Sequence, residues 1–367
     1  MRRTHVCLFL FVVSVLAAPA LAGEGRIPIW QPVSITPGME GKYVLTRDVA
    51  AVGGSGLPAI DIQPGTVAVD IDLNGFTVYG ADTHAIQAVG VDSLTIRNGT
   101  IMFGQGDGIG VDDCRKAVIE DVKIEFVAGF GIRLTTVANF AVRRNIIVSD
   151  QDADPPMIGG IWVDGIQAPN PVEGKIEDNQ IDSAGFGIQL NVGSAVTIRG
   201  NQVEDAVQGD GIHVSVCDGC LIAENTIQRA IGMGIVLSEV NVNKIYNNVV
   251  FGSSDGIALL SNSSDCYVLN NNSSQNQPGS GLVVDGFRNQ IDGNVFNFNA
   301  SAGIWFMPNM VPTNNTYGRN VMRGNLAIPG GSPGCVATPP PCIVPDLCDD
   351  GGGNTSFSDN MSPVPGC

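Results

Sequence analysis

Aromatic residues make up only 6% of this 367-residue chain, and 19 Lys and Arg face 36 Asp and Glu, for a net charge of −17. That balance leaves no basic stripe and excludes nucleic acid as a partner, because phosphate backbones need clustered cations. A polyanionic glycan would likewise be repelled unless a cation bridged it. Long amphipathic helical periods are absent, and Gly, at 47 residues, is about twice its usual share, which favours short strands and tight turns over helices. Histidine numbers three, so a His-based centre has few candidates.

Long apolar runs are also missing beyond the N-terminus. Met1-Arg2-Arg3, an apolar stretch to about Leu16, and Ala20-Leu21-Ala22 before Gly23 have the form of a secretory signal peptide over residues 1–22. The apolar run is short of the ~20 residues a bilayer span needs, so no membrane span is expected in the mature chain. Cleavage removes Cys7 and leaves an even set: Cys114, Cys217, Cys220, Cys266, Cys335, Cys342, Cys348 and Cys367. An exported chain sits in an oxidising compartment, and Cys217-Asp218-Gly219-Cys220 reads as a local disulfide across a turn. The last four lie in a Pro- and Gly-rich tail, read as an irregular cap held by two disulfides of open pairing.

What the chain does have is a beat. A glycine followed by an aliphatic residue recurs at Gly108-Ile109, Gly131-Ile132, Gly160-Ile161, Gly187-Ile188, Gly211-Ile212, Gly234-Ile235, Gly256-Ile257, Gly281-Leu282 and Gly303-Ile304, in steps of 22 to 29 residues. Each pair opens a short stretch of alternating apolar and polar residues, the pattern of a half-buried strand. A fixed period of this length marks a solenoid whose repeats bury their apolar faces against one another. An Asn or Asp follows 13 or 14 residues after many of the glycines, as at Asp121, Asn145, Asn201, Asn225, Asn248 and Asn294. Asn tolerates left-handed backbone, so these positions are expected to be coil corners.

Ile60 and Ile86 carry the beat backwards, giving about eleven coils over residues 57–325. Residues 23–56 and 326–367 fall outside the period and are expected to cap the two ends, which would otherwise be open sheet edges. With its coil length, Gly-Ile openings, recurring Asn and the run Asp70-Ile71-Asp72-Leu73-Asn74-Gly75-Phe76-Thr77-Val78, the sequence resembles the right-handed parallel β-helix, or pectin-lyase-like, superfamily over about residues 40–325. The resemblance implies an all-β, single-domain solenoid and specifies the fold far more than the activity.

Alternation then sorts inside from outside. If each opening aliphatic points inward, so does the second residue after it, and that set, from Ala88 and Val111 to Val284 and Phe306, is apolar throughout. One outward column reads Gln87, Gly110, Arg133, Trp162, Gln189, His213 and Val236, and the next Val89, Asp112, Thr135, Asp164, Asn191 and Ser215. Coils three to seven thus carry Arg133, Trp162, Gln189, His213, Asp112, Asp164, Asn191 and Asp210 as one field. An aromatic face, planar amides and carboxylates suit sugars, whose C–H faces stack on rings and whose hydroxyls need donors and acceptors. The two longest steps place loops 149–159 and 165–174 beside it, where a rigid scaffold tends to carry binding groups.

His213, with Asp210 three residues before it, is the candidate general base, and Arg133 the group to stabilise an enolate at a sugar C5. Trp162, Gln189, Asn191, Asp112 and Asp164 are the candidate substrate-binding residues. Asp210 also belongs to a recurring Asp-Gly-Ile corner shared with Asp107 and Asp255, which offers it a purely structural use. Tyr79-Gly80-Ala81-Asp82-Thr83-His84 is similar to the Tyr-Gly-x-Asp-Pro-His motif of alginate epimerases, with Thr83 in place of Pro. His84 and His213 fall five coils apart, ~24 Å, and cannot serve one site.

No cofactor is demanded by these residues. Asp150-Gln151-Asp152-Ala153-Asp154 could wrap Ca²⁺ with alternate carboxylates but lacks the glycine and closing Glu of an EF-hand. The Gly-His-Gly and Arg-Ile-Lys motifs of polygalacturonases are absent. The reading is an exported polysaccharide-active protein, lyase- or epimerase-like, whose partner is a polysaccharide or surface glycan. The alternative is a non-catalytic surface, adhesive or glycan-binding module.

Overall fold

The computed structural model describes residues 25–80, 82–149, 157–165, 172–307, 314–325, 347–349 and 355–356. The expected signal peptide, the Asp150–Asp154 segment and most of the C-terminal cap, including Cys335, Cys342 and Cys367, lie outside the described residues. Among the described residues there is no helix, and the strands wind into a right-handed parallel β-solenoid of about twelve turns.

Two sheets run the length of the rod. The first has thirteen strands, including Val33–Ile35, Ile60–Ile62, Ile86–Val89, Ile109–Asp112, Phe130–Thr135, Gly159–Asp164, Phe186–Ser194, Ile212–Asp218 and Ile235–Ser238 in spatial order. The second, of 24 strands, is built as two parallel rows, and the 12-residue strands Ser93–Gly104 and Lys116–Val127 pass through both and join them. Residues expected as an N-terminal cap already belong to the stack: Ile27 pairs with Tyr43, Tyr43 with Ile71, and Val33 with Ile60, all parallel. The winding therefore starts before residue 57, because this segment carries the same alternation without the glycine that marks later coils.

The glycine of the beat is explained by close approach. A Cβ on Gly131 would stand 2.6 Å from Ile147 Cγ2 and 2.9 Å from the Gly160 carbonyl oxygen, so only hydrogen lets the corner sit against the core and the next coil. Alternation holds as expected: Ile109, Val111, Ile132, Leu134, Ile188, Leu190, Ile212 and Val214 are all fully buried. Stacked aliphatic rows of this kind make the hydrophobic term additive along the rod, each coil contributing through its neighbours.

The recurring asparagines do something other than turn the chain. The left-handed residue is the one before, as at Arg144, Glu224 and Asn247, with φ of 54°, 57° and 56°. Asn145, Asn179, Asn201, Asn225, Asn248, Asn271 and Asn294 are buried instead, each aligned with the next. Asn225 Oδ1 accepts both the backbone N–H and Nδ2–H of Asn201 at 3.0 Å, while Asn225 Nδ2 donates to the Ile198 carbonyl at 2.9 Å and to Asn248 Oδ1 at 3.0 Å. The amide thus satisfies corner backbone groups that would otherwise be buried unpaired. Asp121, by contrast, is itself left-handed at φ 56° and lies outside the row, pairing with Arg144 at the surface.

Cys217 and Cys220 form the expected disulfide across their turn, with Cα atoms 6.1 Å apart. Cys114 and Cys266 are free and buried, and burial pushes both thiols up to about 11. An even cysteine count thus does not mean complete pairing.

Candidate functional site

The thirteen-stranded sheet presents the outward columns in the order read from the sequence. Arg133 pairs with Trp162, Trp162 with Gln189 and Gln189 with His213, while Asp164 pairs with Asn191 and Asn191 with Ser215. In-register parallel pairing is what makes a column of one residue per coil. Beyond His213 the same column turns apolar and closed: Val236, Ala258 and Val283 are 3%, 0% and 2% exposed. In that column the accessible polar run ends at His213, while the next column stays partly exposed at Ser238 and Asp285.

The candidates divide into two clusters. At the C-terminal end of the field, His213 Nδ1 meets Asp210 Oδ2 at 2.9 Å, and Asp210 Oδ1 accepts the Met233 backbone N–H at 2.8 Å. Asp210 therefore has both uses at once: one oxygen holds the next coil and the other orients the imidazole. With Nδ1–H donating to the carboxylate, Nε2 is left as the acceptor, and the His213 side chain is 32% exposed. A carboxylate-backed imidazole with its far nitrogen open is the geometry of a general base. Beside it, Asn191 Oδ1 accepts from Gln189 Nε2 at 3.3 Å and from Ser215 Oγ at 3.2 Å, fixing which way both amides point.

At the other end, Arg133 is the hub of a separate cluster that the sequence reading did not assemble. Its Nε donates to Asp107 Oδ2 at 2.5 Å, and its NH1 to Asp112 Oδ1 and to Thr135 Oγ1, each at 3.2 Å. His84 sits between them, Nδ1 3.1 Å from Asp107 Oδ2 and Nε2 3.4 Å from Arg133 NH2, so both its ring nitrogens are engaged. The ring needs the space above Gly110, where a Cβ would lie 3.3 Å from His84 Cγ. Burial alone would raise the Asp107 carboxyl, but hydrogen bonds from His84, Arg133 and the Phe130 amide, with the charge of Arg133, hold it below the ordinary carboxylate range. The same charges keep Arg133 protonated against its burial.

Arg133 and His213 are three strand spacings apart, ~14 Å, so they cannot act on one bond, and Arg133 does not stabilise an enolate formed at His213. The epimerase-like motif also fails to converge. Tyr79 stacks on Phe103 with centroids 6.5 Å apart, on the 24-stranded, or wide, sheet, and Asp82 accepts the Gly54 amide at 2.6 Å, while only His84 reaches the field. Between the two clusters Trp162 lies against Phe130, ring centroids 4.8 Å apart and 29° from parallel. The His84–Asp107 contact had a signal in the sequence, a one-coil step in register. The closure of the guanidinium by two carboxylates had none, because Asp107 stands at the corner before strand Ile109–Asp112 and Asp112 at that strand's far end. Among the described residues no group of three or more His, Cys, Asp or Glu gathers to hold a metal ion.

In comparisons with known proteins, no protein of curated function matches the sequence. Solved structures that share the fold include the catalytic unit of a thermostable GH87 alpha-1,3-glucanase from Streptomyces thermodiastaticus, at TM-score 0.61 and 14% identity, and a mutant of the periplasmic alginate epimerase AlgG, at TM-score 0.51 and 12% identity. The first alignment covers 82% of this chain and 62% of the glucanase unit, and the second 91% and 77%. The family profile described as "Right handed beta helix region" matches residues 74–207 and 159–320, most of the chain and the whole of the field above, and the chain belongs to that family.

Proposed function

We propose that this is an exported protein that binds a polysaccharide along the open part of the thirteen-stranded sheet and acts on it through the His213–Asp210 pair. One observation carries the reading: Trp162, Gln189 and His213 occupy one column on three successive coils, and His213 is backed by Asp210 with Nε2 open. Successive coils are ~4.8 Å apart, close to the length of one sugar unit, so each can meet a different ring of a strand lying along the rod. Trp162 supplies an apolar face, Gln189 and Asn191 supply donors and acceptors, and His213 can take a proton from the bound sugar or from water. Export is supported by the Cys217–Cys220 disulfide, since such bonds persist in oxidising compartments. The lyase- or epimerase-like chemistry read from the sequence relied on Arg133 near the base, and with Arg133 ~14 Å away only the base itself supports it.

The second reading, a non-catalytic glycan-binding module, is favoured by the Asn191–Gln189–Ser215 network, which is organised without needing any reaction. A polysaccharide panel separates the two. His213→Gln is expected to keep binding and lose turnover by about 100-fold, and Trp162→Ala to weaken binding by about tenfold. Binding by the native protein with no product from any substrate retires the catalytic reading, and unchanged binding in Trp162→Ala removes the site from this face.

A further inference from the structure

We propose that the glycan taken by this face is uncharged; this rests on the glycan reading above and names its substrate class. The thirteen strands carry one cationic side chain among the described Lys and Arg residues, Arg133, whereas Asp61, Asp112, Asp164 and Asp285 all lie on them and Asp107 and Asp210 at their corners. Arg133 has no charge to offer a ligand. Its Nε and NH1 are held by Asp107 and Asp112, its NH2 meets His84, and its side chain is 20% exposed. The other described cations are on the 24-stranded sheet or at the corners where the two sheets meet, as Arg115 and Arg288 are, and most are spent on a neighbouring coil's carboxylate, as in Arg115–Asp92, Arg199–Glu224 and Arg288–Asp265.

The chemistry of recognition follows from that segregation. A carboxylate is an acceptor only, and sugar hydroxyls give it charge-assisted hydrogen bonds without any repulsion. A uronate laid along the same columns would place its own carboxylate among fixed negative charges with no guanidinium or ammonium to receive it. The field of the whole chain, at net −17, acts in the same direction and lowers the rate of encounter with a polyanion.

The test uses the full mature chain with two sets of probes, neutral polysaccharides (xylan, galactan, dextran, laminarin) and polyuronates (polygalacturonate, alginate), at low and high salt, with and without Ca²⁺. At least one neutral glycan is expected to bind about tenfold or more tightly than either polyuronate, with the gap narrowing at high salt as screening grows. Asp164→Asn, checked for an unchanged melting curve, is expected to shrink the ratio of neutral to acidic affinity by about threefold or more. A polyuronate that binds as tightly as the neutral glycans, either unaided or once Ca²⁺ is added, overturns the proposal and leaves the glycan reading intact. So does a ratio that Asp164→Asn leaves unchanged. Failure of every glycan in both sets defeats the glycan reading itself, and the proposal with it.

Discussion

The two sheets of the rod treat charge in opposite ways. On the wide sheet, arginines and carboxylates from successive coils pair at the surface, as where Arg229 meets Asp205 and Glu204 or Arg144 meets Asp121 and Glu120. On the thirteen-stranded sheet the single Arg133 is drawn in among Asp107, Asp112 and His84, and the other polar side chains are the His213 imidazole, carboxylates, amides and hydroxyls. The difference teaches that a solenoid can sort its surface charge by sheet: one side neutralises itself coil by coil, and the other keeps an excess of acceptors.

The sharpest way to break that comparison is to remove the scaffold common to both sheets. Asn225→Leu strips acceptors from Asn201 and the donor to the Ile198 carbonyl inside the rod, and should cost ~3 kcal/mol or more in a denaturant melt, with loss of the face as well. A smaller effect is expected when the two kinds of arginine are compared. Arg133→Met leaves Asp107, 7% exposed, without its main counter-charge and should cost ~2 kcal/mol, whereas Arg229→Met, at a side chain 47% exposed, should cost under ~1 kcal/mol. Equal losses in the two melts would mean that burial does not distinguish the sheets.

The corner carboxylates sharpen the same contrast through pH. Asp107 is held low by its partners, so its stabilising contribution is complete above the ordinary Asp value of ~3.9 and is lost as pH falls through its lower folded value. Asp107→Asn should therefore flatten the acid limb of a pH–melting profile. Asp255 stands at the equivalent corner with the Ser280 amide as its hydrogen-bond partner, at 2.6 Å, and burial raises its carboxyl above the usual range. Its ionisation costs stability, absent below ~3.9 and complete above the raised folded value, so Asp255→Asn should gain ~1 kcal/mol at pH 7 and nothing at pH 3. Melts at the two pH values check the sign.

Much of the fold was legible because its causes are local and periodic. Ile132 and Leu134 face inward by alternation alone, and Gly131 recurs because each coil approaches the next in the same way. The Asn row was legible as a mark but not as a function: Asn225 and the left-handed Glu224 are adjacent in sequence, and only the stacking of coils shows that the corner belongs to one and the ladder to the other. The site was half legible. Columns containing Trp162, Gln189 and His213 follow from period and alternation, and Asp210 from its place three residues before His213. Arg133 could not be assigned that way, because a long flexible side chain reaches whichever partners packing provides.

Sequence by itself determined the coil, the inside and outside of each strand, and the columns, since a period and an alternation of two are enough to place Cβ atoms on a parallel sheet. Tertiary structure alone decided which side chains close on one another. Arg133 went to Asp107 and Asp112 rather than toward His213 because hydrogen bonding across coils depends on reach and register between strands distant in sequence, and these have no signature along the chain.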